Sequence, residues 1–201
     1  MSQAFDTDSD ITPAVLAAMR AQVPPKRAVV LYSRNLSPRV VATLRSAGFK
    51  IVVVYENGHG ADPAYYTEAN GIAAADRMIA QVTAAGLAGP GTLYVVGADF
   101  DANSAQVATG TVPFFEGFNS VAVPKRYSVG SYGNGLLNQA LADQKLATYH
   151  WLWGVRLSYG SAAFLASGKW HLHQHVTTRE FGIAVDEDDI NPAFANDYGG
   201  W

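Results

Sequence analysis

The stretch TLYVVGADFDAN, residues 92–103, passes from strand formers into two acids two positions apart, Asp99 and Asp101, with Phe100 between them. Alternation along an extended backbone sends residues i and i+2 to one side, which crowds both carboxylates into one spot. Like charges held that close raise at least one pKa. Packing has no use for such a pair; acid/base chemistry does. Asp101, one step nearer the open end, is the expected proton donor, and Asp99 is expected to tune it or orient the substrate.

Other apolar runs end in the same style. Asp6, Glu56 and Asp186 each follow strand-forming residues, and Tyr32, Tyr132, Trp151, Trp153 and Gln174 occupy matching places. Carboxylates cleave glycosidic bonds and aromatic rings stack on pyranose faces, so this collection points to a sugar. Asp101, Asp99, Asp6 and Asp186 are expected to join Glu56 in one acidic cleft. Glu56, Tyr32, Tyr132, Trp151, Trp153 and Gln174 are expected to bind substrate.

A second chemistry is written in KWHLHQHV. An extended backbone puts His171, His173 and His175 on one face and Trp170, Leu172 and Gln174 on the other. Histidines at i and i+2 can hold zinc, which leaves a metal-dependent hydrolase as an open reading. The favoured expectation places them in an outer, hydrogen-bonded layer with no metal and no cofactor. His59, in the polar loop 56–71, reads as solvated, and Asp188 and Asp189 in the acidic run 186–189 read as solvated or capping.

The elements that position these residues follow a repeated syntax. TPAVLAAMRAQVPPKRAVVLYSRN and SPRVVATLRSAGFKIVVVYENG each open on an N-cap hydroxyl and a first-turn proline. An amphipathic helix, a break (Pro24–Pro25 or Gly48) and an apolar strand follow. The alternation predicts strands near 4–7, 27–33, 50–56, 92–99, 127–132, 148–153, 170–176 and 182–186. Helices are expected near 12–22, 37–47, 70–86, 135–146 and 158–167, with 104–122 undecided between types. Strands and helices in alternation make a parallel sheet. Eight strands make a single closed (β/α)8 barrel over 1–201 the leading fold class, with an open doubly wound α/β sheet as runner-up. No Gly-x-Gly-x-x-Gly or Walker loop follows any strand. In such folds function gathers at the carboxyl ends of the strands.

Composition narrows the function classes. Of 201 residues, 49% are hydrophobic and 15% charged, which is globular rather than disordered. A net charge of -3 argues against a nucleic-acid partner, and zero cysteines exclude thiol chemistry and disulfides. No apolar run approaches a membrane-spanning length. The N-terminus lacks a basic segment followed by an apolar core, so the expectation is cytoplasmic synthesis without a signal peptide. Any action outside the cell then needs another export route.

Taken in order, FDT, VVVYENG, YVVGADFDAN, VGSYGNG and GIAVDEDD give the chain a family likeness. It resembles the glycoside-hydrolase-like barrels known as domain of unknown function 1906, relatives of the glycoside hydrolase family 25 lysozymes. The resemblance implies a muramidase acting on the β-1,4 bonds of peptidoglycan. The rim of those lysozymes holds an Asp on the first strand, Asp-x-Glu on the fourth and Asp on the eighth. By position these fall on Asp6, on Asp99 and Asp101, and on Asp186. Asp101 stands where the family has Glu, one methylene shorter, and general acid catalysis depends on reach. That departure gives the alternative: a peptidoglycan-binding barrel without turnover.

Overall fold

The computed structural model describes all residues except 1–2, 10, 23–24, 88 and 156, and describes 176–180 by backbone alone. Pro24, half of the expected break, lies outside the described residues. Eight strands close a barrel in sequence order: β1 (Ala4–Thr7), β2 (Ala28–Tyr32), β3 (Lys50–Tyr55), β4 (Thr92–Val96), β5 (Ser128–Gly133), β6 (Tyr149–Leu152), β7 (Leu172–Glu180) and β8 (Ile183–Ile190). Helices α1 (Pro13–Ala21), α2 (Pro38–Ser46) and α3 (Glu68–Ala84) fill the first three crossovers. Helices α4 (Ser104–Gln106), α5 (Val112–Ala122), α6 (Gly135–Asp143) and α7 (Ser161–Ser167) fill the next three.

The expected helix starts form as written. The Thr12 hydroxyl accepts from Val15 N at 3.3 Å and the Ser37 hydroxyl from Val40 N at 3.2 Å, with Pro13 and Pro38 opening the helices. The undecided stretch 104–122 is helical, with a π turn at Val107–Thr111 between α4 and α5. Glycines let α5 meet α3 backbone to backbone. A Cβ on Gly71 would fall 2.0 Å from Phe114 O, and one on Gly117 would fall 2.2 Å from Glu68 O. Phe114, Phe115 and Phe118 are fully buried at this contact, each side chain contributing roughly 1.5–3 kcal/mol of burial.

The barrel departs from eight repeats of strand and helix. Strands β1 to β7 pair in parallel, but β8 runs antiparallel to both β7 and β1. No crossover helix joins β7 to β8. Phe181 and Gly182 turn the chain with φ of 55° and 81°, the paired positive values that a two-residue hairpin favours. Asp186 therefore lies inside a long strand rather than at its carboxyl end, opposite Asp6 in the β1–β8 register. The barrel closes, so the open-sheet runner-up does not hold.

Two apolar layers carry the fold. Phe5, Val29, Ile51, Leu93 and Val129 face the helices, while Val30, Val52, Tyr94, Leu172 and Ile190 fill the barrel interior. The C-terminal segment closes one end: Tyr94 donates to Tyr198 O at 2.8 Å, and Ile51 and Trp201 exchange backbone hydrogen bonds. The polar interior is left to the opposite end.

Candidate functional site

At that open end lies a cavity of about 300 Å³. Glu56, Asp99 and Asp186 give it carboxylates; Tyr32, Tyr132, Trp151 and Trp153 give it rings; Gln174 lies among them. Asp6 lines an adjoining cavity of about 200 Å³ that shares Tyr32 and Asp186 with the first. The closed barrel thus brings together nine of the ten residues expected from sequence, drawn from all eight strands or the loops just beyond them. Asp101 lines neither cavity.

Gln174 is the hub. Its Nε2 donates to Asp6 Oδ2 at 3.0 Å and to Asp186 Oδ2 at 3.1 Å, and its Oε1 accepts from the Tyr132 hydroxyl at 2.8 Å. Burial, then the charge of Asp186, pushes the Asp6 carboxyl up to about 8, against a smaller lowering by Gln174. Asp6 therefore holds its proton at neutral pH. Asp186 keeps one oxygen, Oδ1, buried with no hydrogen-bond partner among the described residues.

A further acid completes this interior, and it is one of the two that the sequence reading left outside it. Asp188 is fully buried and accepts from Trp151 Nε1 at 2.7 Å. Burial and then Asp6 hold its carboxyl well above the usual range. The signal was available: extending β8 to Ile190 puts Asp186, Asp188 and Ile190 on one face. Taking Asp186 as the strand's last residue hid it. Asp189 is bonded as well, its Oδ2 lying 2.9 Å from His175 Nε2.

Asp99 stands on the far wall, exposed at the cavity mouth, its pKa raised by desolvation and then by the charge of Asp186. Two backbone bonds set its place: Gly97 N donates to Tyr132 O at 2.9 Å and Asp99 N to Gly60 O at 2.8 Å. Gly60 also lets a second acid approach. A Cβ there would sit 3.1 Å from Asp99 Cβ and 3.2 Å from Glu56 Oε1. Glu56 in turn faces Arg34, 3.5 Å away, whose guanidinium also donates to Glu56 O and lies 4.3 Å above the Tyr32 ring.

The expected side-by-side pair of Asp99 and Asp101 does not form. Strand β4 ends at Val96, so strict alternation does not reach residues 99–101. Asp101 instead turns to the loop before α7. Its Oδ1 accepts from Asn134 Nδ2 and from Tyr159 N, both at 2.8 Å. The charge acting on Asp99 comes from across the barrel.

The three histidines do not gather at one centre. His171 precedes β7, buried, with its ring stacked on Phe194 at 4.0 Å and its Nδ1 accepting from His150 N. Burial lowers its pKa to about 4, as it does for His150. His173 and His175 lie 4.8 Å apart, and His175 reaches the main cavity beside a register shift between Gln174 and Thr177. Among the described residues no three His, Asp or Glu side chains converge as a metal-holding group. His59 stacks on Tyr65 at 5.2 Å.

With this geometry in view, sequence comparison assigns the chain. The model of the Rv2525c-like, glycoside hydrolase-like domain matches residues 18–190. The chain belongs to the Rv2525c-like family of glycoside hydrolase-like domains. No curated protein matches the sequence closely. Among solved structures, this Rv2525c-like barrel superposes on the Mycobacterium tuberculosis Tat-secreted protein Rv2525c, crystallised with HEPES and with L-tartrate. The TM-score is 0.79 at 22% identity, covering 100% of this chain and 98% of that one. An uncharacterised B. stearothermophilus protein gives 0.71 at 16% identity, with 96% and 97% of the two chains covered. The modular autolysin LytC of Streptococcus pneumoniae, solved with a synthetic peptidoglycan ligand, gives 0.55 at 11% identity over 93% of this chain and 46% of LytC. At these identities the structural likeness speaks for the fold.

Proposed function

We propose that this Rv2525c-like barrel is a glycoside hydrolase of the cell envelope that cleaves β-1,4 bonds in peptidoglycan, with Asp99 as the general acid. One observation carries this: Asp99 and Asp186 line one cavity walled by Tyr32, Trp151 and Trp153, and the charge of Asp186 adds to desolvation in raising the Asp99 pKa. A raised pKa is the shift that general acid catalysis on a glycosidic oxygen calls for. Asp186 has the role of stabilising positive charge that develops at the anomeric carbon; Gln174 orients it, and protonated Asp6 adds no competing charge. Tyr32 and Trp153 present faces to sugar rings. Asp101 acts as a loop anchor in this scheme. The presence of LytC, a peptidoglycan-binding autolysin, among the structural relatives supports the substrate class, and the Tat-secreted relative supports work outside the cytoplasm. Peptidoglycan is the partner, with an immunity protein added only if the chain is an injected effector.

Incubating the purified protein with peptidoglycan and identifying released fragments by mass spectrometry tests the reading. New muramic acid reducing ends support it; intact glycan strands under all conditions overturn it.

A second reading has its own observation. Asp101, the position that matches the lysozyme Glu, is bound to Asn134 and Tyr159 and lines neither cavity. A barrel that binds sacculi and releases nothing would fit that arrangement, and the same experiment separates the two.

A further inference from the structure

A third cavity opens beside the acid-lined one. It measures about 460 Å³, shares Glu56 with its neighbour, and is walled by Arg34, Tyr55, Asn57, Arg77 and Gln81. Its polarity is opposite. Two guanidinium groups line it, and among the described residues on its wall Glu56 is the one carboxylate, already met by Arg34. Arg77 makes no ion pair among the described residues, although its charge reaches the Tyr65 phenol. Gln81 has its carbonyl oxygen held by the Ser33 hydroxyl at 2.7 Å, which leaves its amide hydrogens as donors. This wall offers donors and positive charge to a ligand.

The neighbouring cleft, with Asp99, Asp186 and Glu56, repels anions. A glycan that carries carboxylates therefore lies in it only if those groups project somewhere else. The Arg34–Arg77 cavity is that place, and Arg34 over Tyr32 marks the boundary between the two fields. Resting on the glycan reading above, we infer that the Arg34–Arg77 cavity is a carboxylate receptor for the acidic branch of the substrate, and that it distinguishes acid-bearing glycans from neutral β-1,4 glycans. Guanidinium suits this task because its fork of donors matches a carboxylate.

Two disaccharides test it by calorimetry: N-acetylglucosaminyl-N-acetylmuramic acid and N,N′-diacetylchitobiose, which differ only by the lactyl ether. The acid should bind roughly tenfold more tightly at low salt, with the preference shrinking as ionic strength rises. Arg77→Gln should remove most of that preference while leaving chitobiose affinity and the melting temperature unchanged, and Arg77→Lys should restore part of it. Equal affinity of the wild type for both sugars overturns the inference and leaves the glycan reading standing. So does equal weakening of both by Arg77→Gln. Failure of both sugars to bind overturns the glycan reading and the inference together.

Discussion

Asp6 and Asp186 receive the two hydrogens of one carboxamide: Gln174 Nε2 lies 3.0 Å from the first and 3.1 Å from the second. They are also direct cross-strand partners in the β1–β8 pair. Two acids opposite each other in a sheet repel unless one keeps its proton or a donor stands between them. Here both remedies operate, and the arrangement has consequences for stability and for chemistry.

The first consequence is an alkaline loss of stability. Asp6 titrates near 8 when folded against 3.8 when free, so the native state holds a proton that the unfolded chain has released. Its stabilising contribution is lost as pH rises through that interval. Asp188 acts in the same direction. His150 and His171, lowered from 6.5 to about 4, act oppositely, but only below about pH 6.5. The melting temperature should therefore fall between about pH 6.5 and 8.5, by roughly 2–4 °C for each kcal/mol lost. Asp6→Asn should flatten the fall. A melting temperature that stays level or climbs across this window in the wild type would contradict the assignment.

Asp99 and Asp101 should separate cleanly. Asp99→Asn is expected to lower turnover by about 10²–10⁴-fold, the usual worth of a positioned acid, with folding and sugar binding kept. Asp101→Ala removes the acceptor for Asn134 Nδ2 and Tyr159 N, and should cost about 1–3 kcal/mol in urea unfolding. Its turnover per folded molecule should stay near that of the wild type. The reverse pattern would return the acid's role to Asp101.

Gly60→Ala tests the spacing of the two wall acids. The added methyl would meet Asp99 Cβ at 3.1 Å and Glu56 Oε1 at 3.2 Å, so both must shift by a few tenths of an ångström. Misplacement on that scale should lower turnover by roughly three- to tenfold, with a stability change within about 1 kcal/mol. Normal kinetics in a destabilised variant would mean that Gly60 serves only the loop.

Chelator should leave both turnover and sugar binding unchanged. His171 Nδ1 is occupied by His150 N, and His175 Nε2 by Asp189, so the His171, His173 and His175 segment has other work. Stoichiometric zinc in the purified protein, with activity lost on its removal, would reverse this expectation.

The sequence by itself determined where the elements begin and which strand ends gather at one rim. Thr12, Ser37 and their following prolines start helices through bonds to backbone three residues away, and local chemistry of that kind is legible without a fold. Strand ends likewise gathered Asp6, Tyr132, Trp151 and Gln174 at one rim, while the inward face of the seventh strand was not legible in the sequence. Only the tertiary structure decided which acids meet. Asp101 left the cleft because β4 ends at Val96, and Asn134, far along the chain, offered its carboxyl a partner. Asp188 entered the core because Phe181 and Gly182 turn β8 back against β1, which carries its alternate residues into the barrel. The pairing of Asp6 with Asp186, and the raised pKa of Asp99 by Asp186, arise from barrel closure between the two ends of the chain. Charge interactions depend on distance and burial, and those distances exist only once the barrel has closed.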